Sequence, residues 1–195
     1  MDNLRIAVIL GTNRNGRTGP AVSRWFVDLA RTRADMEIDV LDVADLADLA
    51  DLAAEERYGH GHGAPLADFG PRVAAADGFV VLTPEYNHGY PGPLKSAIDS
   101  ARREWFGKAA GFVSYGGMSG GLRAIEQLRL VFSELHVATI RDTVSLHNAS
   151  AMFADDGSPT GDLSGAESAV KLLLDELRWW ALALREARER RSYPA

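Results

Sequence analysis

The stretch Phe79-Val80-Val81-Leu82-Thr83-Pro84-Glu85-Tyr86-Asn87-His88-Gly89-Tyr90-Pro91-Gly92-Pro93-Leu94-Lys95-Ser96-Ala97-Ile98-Asp99 decides the fold. Its first four residues are continuously apolar, the pattern of a short strand buried on both faces. Pro84 removes a backbone donor and cannot continue a central strand, so Thr83 to Asn87 reads as a loop. Gly89, Pro91, Gly92 and Pro93 punctuate the next turn, and Pro93 suits the first turn of a helix. Leu94, Ala97, Ile98, Ala101 and Trp105 then recur at helical spacing, which predicts one helix reaching Trp105. The segment is strand, polar aromatic loop, helix. Ligands of open parallel sheets sit at such loops, beyond the carboxyl ends of strands.

The same unit recurs on either side. Leu4 to Leu10 is an apolar strand, followed by the loop Gly11-Thr12-Asn13-Arg14-Asn15-Gly16-Arg17-Thr18-Gly19. Pro20 then opens a helix with Ala21, Val22, Trp25, Phe26, Leu29 and Ala30 on one face. Glu37 to Asp42 alternates like an edge strand, and Pro71 to Asp77 reads as a short helix. Lys108 to Ser114 is another strand, leading into Tyr115-Gly116-Gly117-Met118-Ser119-Gly120-Gly121. The following helix places Leu122, Ile125, Leu128, Phe132 and Leu135 inward, with Ser119 as its cap. Val137 to Leu146 is a fifth strand, interrupted near Arg141-Asp142, and 147–162 is polar and turn-rich. Ala166 to Arg191 closes the chain as a long helix. Val170, Leu173, Leu174, Leu177, Ala181 and Leu184 face inward, and Arg185 to Arg191 forms a solvated face. Alternating strands and helices predict an α/β fold, a five-stranded parallel sheet with helices on both faces. No boundary for a second domain is visible, so a single domain over residues 1–195 is expected.

Thr-Pro-Glu-Tyr-Asn at 83–87, followed by Pro-Gly-Pro-Leu-Lys-Ser-Ala-Ile-Asp at 91–99, resembles the NADPH-dependent FMN reductase family. Relatives of that family include chromate-, quinone- and azo-dye-reducing flavoproteins. The loops at 11–19 and 114–117 extend the resemblance over most of residues 4 to 135. Periodicity alone does not separate the doubly wound strand orders. The resemblance implies the flavodoxin-like order 2-1-3-4-5 in a three-layer sandwich.

In that order the loops after strands one, three and four converge on one crevice. The first precedes a helix N-terminus, where exposed N–H groups and the helix dipole favour a phosphate. Thr12 and Thr18 add hydroxyls, Arg14 and Arg17 add charged donors, and Gly19 leads into the helix. No Gly-Lys-Ser/Thr closes the loop, and Gly11, Gly16 and Gly19 lack the Gly-x-Gly-x-x-Gly spacing. A nucleoside triphosphate and a Rossmann dinucleotide are therefore disfavoured, while a monophosphate fits. The family usually has Ser where this chain has Thr12, a change that keeps the hydroxyl. The resemblance implies that Pro84, Glu85, Tyr86 and Asn87 lie against a flavin ring, and that Ser114, Tyr115, Gly116 and Gly117 contact it from the third loop. Asn87 can donate and accept, as the mixed edge of a pyrimidine-like ring requires. Glu85 is a proton relay or an acceptor for backbone N–H groups, with the structural role preferred. His88 faces either an acceptor or solvent. No side-chain acid or base is expected, because the flavin carries the chemistry.

The resemblance thus implies bound FMN, with NADPH or NADH as co-substrate. Hydride would pass by a ping-pong route to a quinone, flavin, azo compound or similar small-molecule acceptor. A flavodoxin-type electron carrier and a non-catalytic FMN-binding protein are the alternatives. Net charge −6 suits a carrier, but Arg14 and Arg17 at the phosphate loop do not. The same charge disfavours nucleic acid or an anionic membrane as partner. The chain contains no cysteine, which excludes disulfides, thiolate catalysis and Cys-ligated metals. No apolar run approaches the ~18 residues of a membrane helix, and Met1 to Asn3 leave no room for a signal peptide, so a cytoplasmic protein is expected. Residues 44–53 are a three-residue repeat that reads as a loop or helical turn, and 57–64 is a flexible connector, a lid or a subunit contact. Within it His60 and His62 lack the carboxylate partners of a metal site, and no metal is expected. The resemblance implies a homodimer or homotetramer, built on the helices after loops two and three. Trp105 and Phe106 exceed what one core face needs, and Arg123, Glu126 and Gln127 mark the second helix.

Overall fold

Leu4–Leu10 forms β1, apolar on both faces except at Arg5, which pairs with Asp39 of the neighbouring strand. Ile6 and Val8 point into one core, Ala7 and Ile9 into another, so the two-residue period of a strand fills both faces. The computed structural model describes residues 3–14, 18–46 and 68–194. Arg17, the connector 57–64 with His60 and His62, and most of the 44–53 repeat lie outside the described residues.

The remaining elements follow in order: α1 (Thr18–Arg31), β2 (Met36–Asp42), α2 (Phe69–Ala75), β3 (Gly78–Pro84), α3 (Gly92–Asp99), β4 (Ala109–Tyr115), α4 (Leu122–Glu134), β5 (Ala138–Leu146) and α5 (Ser164–Arg190). The strands pair in parallel in the order β2-β1-β3-β4-β5, as expected. Helices α1 and α5 cover one face, where Val22, Phe26, Leu173 and Leu177 meet Ile6, Val8, Val80 and Val113. Helices α2, α3 and α4 cover the other, where Val73, Leu94, Ile98, Ile125 and Leu128 meet Ile9, Phe79, Val81 and Phe112. Registers such as Leu10↔Leu82 and Pro84↔Tyr115 bring the tips of β1, β3 and β4 side by side.

The break in β5 falls where the sequence places it. The β4–β5 register shifts between Ala110 and Phe112, opposite Ile140 to Asp142. Glu176 of α5 accepts the freed N–H groups of Arg141 and Asp142 at 3.2 and 2.9 Å, so the bulge leaves those donors satisfied.

Several expectations need correction. Strand β3 continues through Thr83 and ends on Pro84, because a terminal proline forfeits no interior ladder bond. Helix α3 stops at Asp99, and Trp105 lies in a separate 3₁₀ turn, Arg103–Trp105. Trp105 is wholly buried among Phe69, Phe79 and Phe132, and its indole N–H donates to Ile98 O and Ala101 O at 3.1 Å. It satisfies the frayed end of α3 and contributes nothing to an oligomer surface, which removes that argument for assembly. Leu122, at the first turn of α4, is exposed; Leu135 lies just beyond the helix end but packs against the core as expected. Within the basic end of α5, Arg185 and Arg188 turn inward to Asp77 at 3.2 and 3.6 Å, and Arg188 also donates to Gly107 O. A helix that long must pass over the sheet, so its last turns reach the carboxylate at the start of β3 rather than water.

Candidate cofactor site

The three strand tips are joined by side chains. From the first loop, Thr12 Oγ1 meets Tyr86 Oη of the second at 2.7 Å and accepts the Arg14 N–H at 3.2 Å. The Arg14 guanidinium lies 3.9 Å from the centroid of the Tyr86 ring, a cation–π stack at the head of the crevice. Thr18 and Gly19 form the first turn of α1, whose 14 residues direct unpaired N–H groups at this point. A Cβ on Gly19 would stand 2.9 Å from Tyr115 Oη, so only glycine lets the helix start settle on that phenol. Leu10, Thr12, Asn13, Arg14, Gly19 and Ser23, with Asp42 from the end of β2, enclose part of a cavity of about 270 Å³.

The second loop is a tight turn. Tyr86 and Gly89 exchange two backbone hydrogen bonds, at 2.9 and 3.1 Å. Asn87 and His88 between them have φ of 50° and 72°, the sign pattern of a type I′ turn. Asn87 tolerates that region, whereas His88 does so at a cost. Gln127 braces the turn from α4, donating to His88 O at 2.8 Å.

Glu85 ties the second loop to the third. Its side chain is only 5% exposed. It accepts the Ser119 hydroxyl at 3.0 Å, the Arg123 N–H at 3.2 Å, and the Arg123 guanidinium. Burial opposes ionisation of this carboxyl, but the bonds from Arg123 and Ser119 outweigh it and hold Glu85 below its ordinary value. Ser119 is not the side-chain cap of α4; Gly121 takes that position, and the Ser119 hydroxyl goes to Glu85 instead.

Ser114 and Tyr115 are placed under the third loop. Ser114 is fully buried and donates to Gly120 O at 2.7 Å. Tyr115 is almost as buried, and its surroundings, with Tyr86 and Asp42 adding to the effect, push the phenol up, so it stays a neutral donor. Gly116 packs against the backbone of Gly121, while Gly117 has open space where a Cβ would be. The segment after β5 holds this loop: Asn148 N–H bonds Gly117 O at 2.9 Å and Ala149 N–H bonds Gly116 O at 3.0 Å.

Of the residues expected at the site, Thr12, Arg14, Thr18, Gly19, Pro84, Glu85, Tyr86, Asn87, Ser114, Tyr115, Gly116 and Gly117 are gathered at adjacent strand tips. Asp42, Ser119, Arg123, Gln127 and Asn148 were not anticipated there. Their signals are absent from any local motif, because each acts on residues distant from it in the chain.

The sheet order and its flanking helices define a flavodoxin-like α/β protein. Donors at a helix start, a glycine allowing close approach, and open space over Gly117 fit FMN in character. Residues 4–151 match the model of the NADPH-dependent FMN reductase family, and the chain belongs to that family. An NAD(P)H-dependent FMN reductase of Schizosaccharomyces pombe is 34% identical over 150 residues, 73% of each chain. A quinone reductase of Escherichia coli K12 is 33% identical over 98 residues, half of each chain. The solved structure of FerB, a flavoenzyme NAD(P)H:(acceptor) oxidoreductase from Paracoccus denitrificans, matches with a TM-score of 0.67 at 25% identity, over 90% of this chain and 98% of that one. Membership makes the protein an oxidoreductase with FMN as cofactor and a nicotinamide nucleotide as reductant.

Proposed function

We propose that the protein reduces small-molecule acceptors, quinones foremost, with NAD(P)H in a ping-pong cycle at the crevice between its first three switch-point loops. FMN bound there would supply two-electron hydride chemistry. The chain's own part is to bind and orient. Thr12, Arg14, Thr18 and the α1 N-terminus hold the phosphate, with Arg17 as a further donor. The backbone at Pro84 to Asn87 and at Gly116 and Gly117 faces the ring. Glu85 keeps the second and third loops at a fixed separation. Ser114 and Tyr115 support the floor.

The observation that carries this reading is the bridge between Thr12 and Tyr86, with Arg14 stacked above it. It joins the expected phosphate loop to the expected ring loop at hydrogen-bond distance. One crevice serving reductant and acceptor in turn supports the ping-pong order. Stopped-flow absorbance tests it: NADPH or NADH should bleach the bound flavin, and a quinone should restore the colour. Flavin that no nicotinamide bleaches would leave only the electron-carrier or binding-protein alternative.

Assembly as a homodimer or homotetramer forms part of the proposal. Met118 and Leu130 are 92% and 75% exposed on loop three and the helix after it, and Leu122 lies between them in sequence. That is apolar surface a second copy would cover. Among the described residues no helix is long and apolar enough to cross a membrane, and a cytoplasmic location is proposed.

A further inference from the structure

We propose that His88 is an acceptor-contacting residue: its imidazole is held as a neutral Nδ1–H donor on the second loop, and it selects acceptors that carry a carbonyl, such as quinones. The proposal rests on the reductase reading above. It begins with a strained backbone. His88 occupies the third position of a type I′ turn with φ of 72°, where glycine would be unstrained.

The ring's hydrogen bond then fixes its proton. Arg123 Nη1 lies 2.8 Å from His88 Nε2. A guanidinium has donors only, so Nε2 must present its lone pair and the single ring proton sits on Nδ1. Arg123 cannot leave easily, because its other nitrogens are committed to the buried Glu85. The charged groups facing His88 are thus Arg123 and, behind it, Glu85; Gln127 reaches only the His88 carbonyl. Nδ1, across the ring from Arg123, pairs with no described residue, and His88 is exposed. A neutral imidazole N–H, fixed by its neighbours, polarises a carbonyl oxygen without giving up its proton.

The reduction balances without a proton from His88. A quinone gains two electrons and one proton as hydride from the reduced cofactor, which is oxidised. Water supplies the second proton of the hydroquinone. The His88 N–H stabilises charge on the oxygen while it develops and is unchanged at the end.

The test compares a benzoquinone with ferricyanide, which takes electrons and has no carbonyl. In His88→Gly the ratio of kcat/KM for quinone over ferricyanide should fall at least about tenfold, the loss expected for one oriented donor. His88→Asn, which tolerates the same backbone and retains an N–H donor, should recover part of the ratio. Independently of turnover, ¹⁵N NMR of the cofactor-free protein at neutral pH should show the neutral Nδ1–H tautomer, and Arg123→Met should release it. An unchanged ratio in His88→Gly, or an Nε2–H or protonated ring in the wild type, would overturn the proposal. Bleaching by NADPH in the same preparations reports separately on the reductase reading.

Discussion

Replacing Glu85 by Gln removes one charge from the joint between the second and third loops and leaves its shape in place. The carboxylate serves three donors: the Ser119 hydroxyl, the Arg123 N–H and the Arg123 guanidinium. Glutamine keeps one acceptor oxygen and turns an NH₂ towards the other donors. The ion pair itself is worth little here, because the Arg123 side chain is 46% exposed and rehydrates when released. What is lost is chiefly one hydrogen bond to a charged, buried acceptor, so the cost should be about 1.5 kcal/mol. For a chain of this size that lowers Tm by roughly 3–6 °C. If the joint also holds the two loops at the cofactor's spacing, the same energy weakens FMN binding by about tenfold. The pH dependence has a definite sign. Glu85 ionises below its ordinary 4.5 in the folded state, so its contribution is present above 4.5 and fades as pH falls through the lower folded value. Thermal denaturation of the wild type and Glu85→Gln from pH 3 to 7, with flavin-fluorescence titration at pH 7, measures all three quantities. Equal Tm at neutral pH, together with an identical loss of stability in acid, would refute the reasoning.

Tyr86→Phe removes the 2.7 Å bond to Thr12 while keeping the ring under Arg14; FMN affinity by fluorescence titration should fall about 3–10-fold with little change in Tm. Lys108 is buried with its ammonium on Val73 O and Ala74 O at 2.7 and 2.8 Å, and burial, with Arg188 nearby, lowers it from 10.5 to about 8. Between those values the unfolded chain binds a proton that the folded chain does not, so stability should rise with pH, at a slope approaching ~1.4 kcal/mol per pH unit. Denaturant unfolding of the wild type and Lys108→Met at pH 8, 9 and 10 isolates that slope, which the variant should lack.

The sheet was legible because central parallel strands must be apolar on both faces. Leu4–Leu10, Gly78–Pro84 and Ala109–Tyr115 announce themselves as runs, and Gly and Pro mark the loops between them. The strand order was not in the periodicity; it came with the motif at 83–99. That motif and the loop at 11–19 also named the side chains that meet, Thr12, Arg14 and Tyr86, since each lies within a few residues of a strand tip. Tertiary structure decided whatever depends on distant partners. Helical spacing carried Trp105 on as part of α3, but the chain bends after Asp99 and the indole closes the core against Phe69, Phe79 and Phe132. Arg185 and Arg188 read as solvated charges until the length of α5 brings them to Asp77. Glu85, Arg123 and His88 became one unit only when α4 packed beside the second loop. Local patterns encode which backbone a segment adopts and which face it buries; which charge meets which is set by how those faces come together in three dimensions.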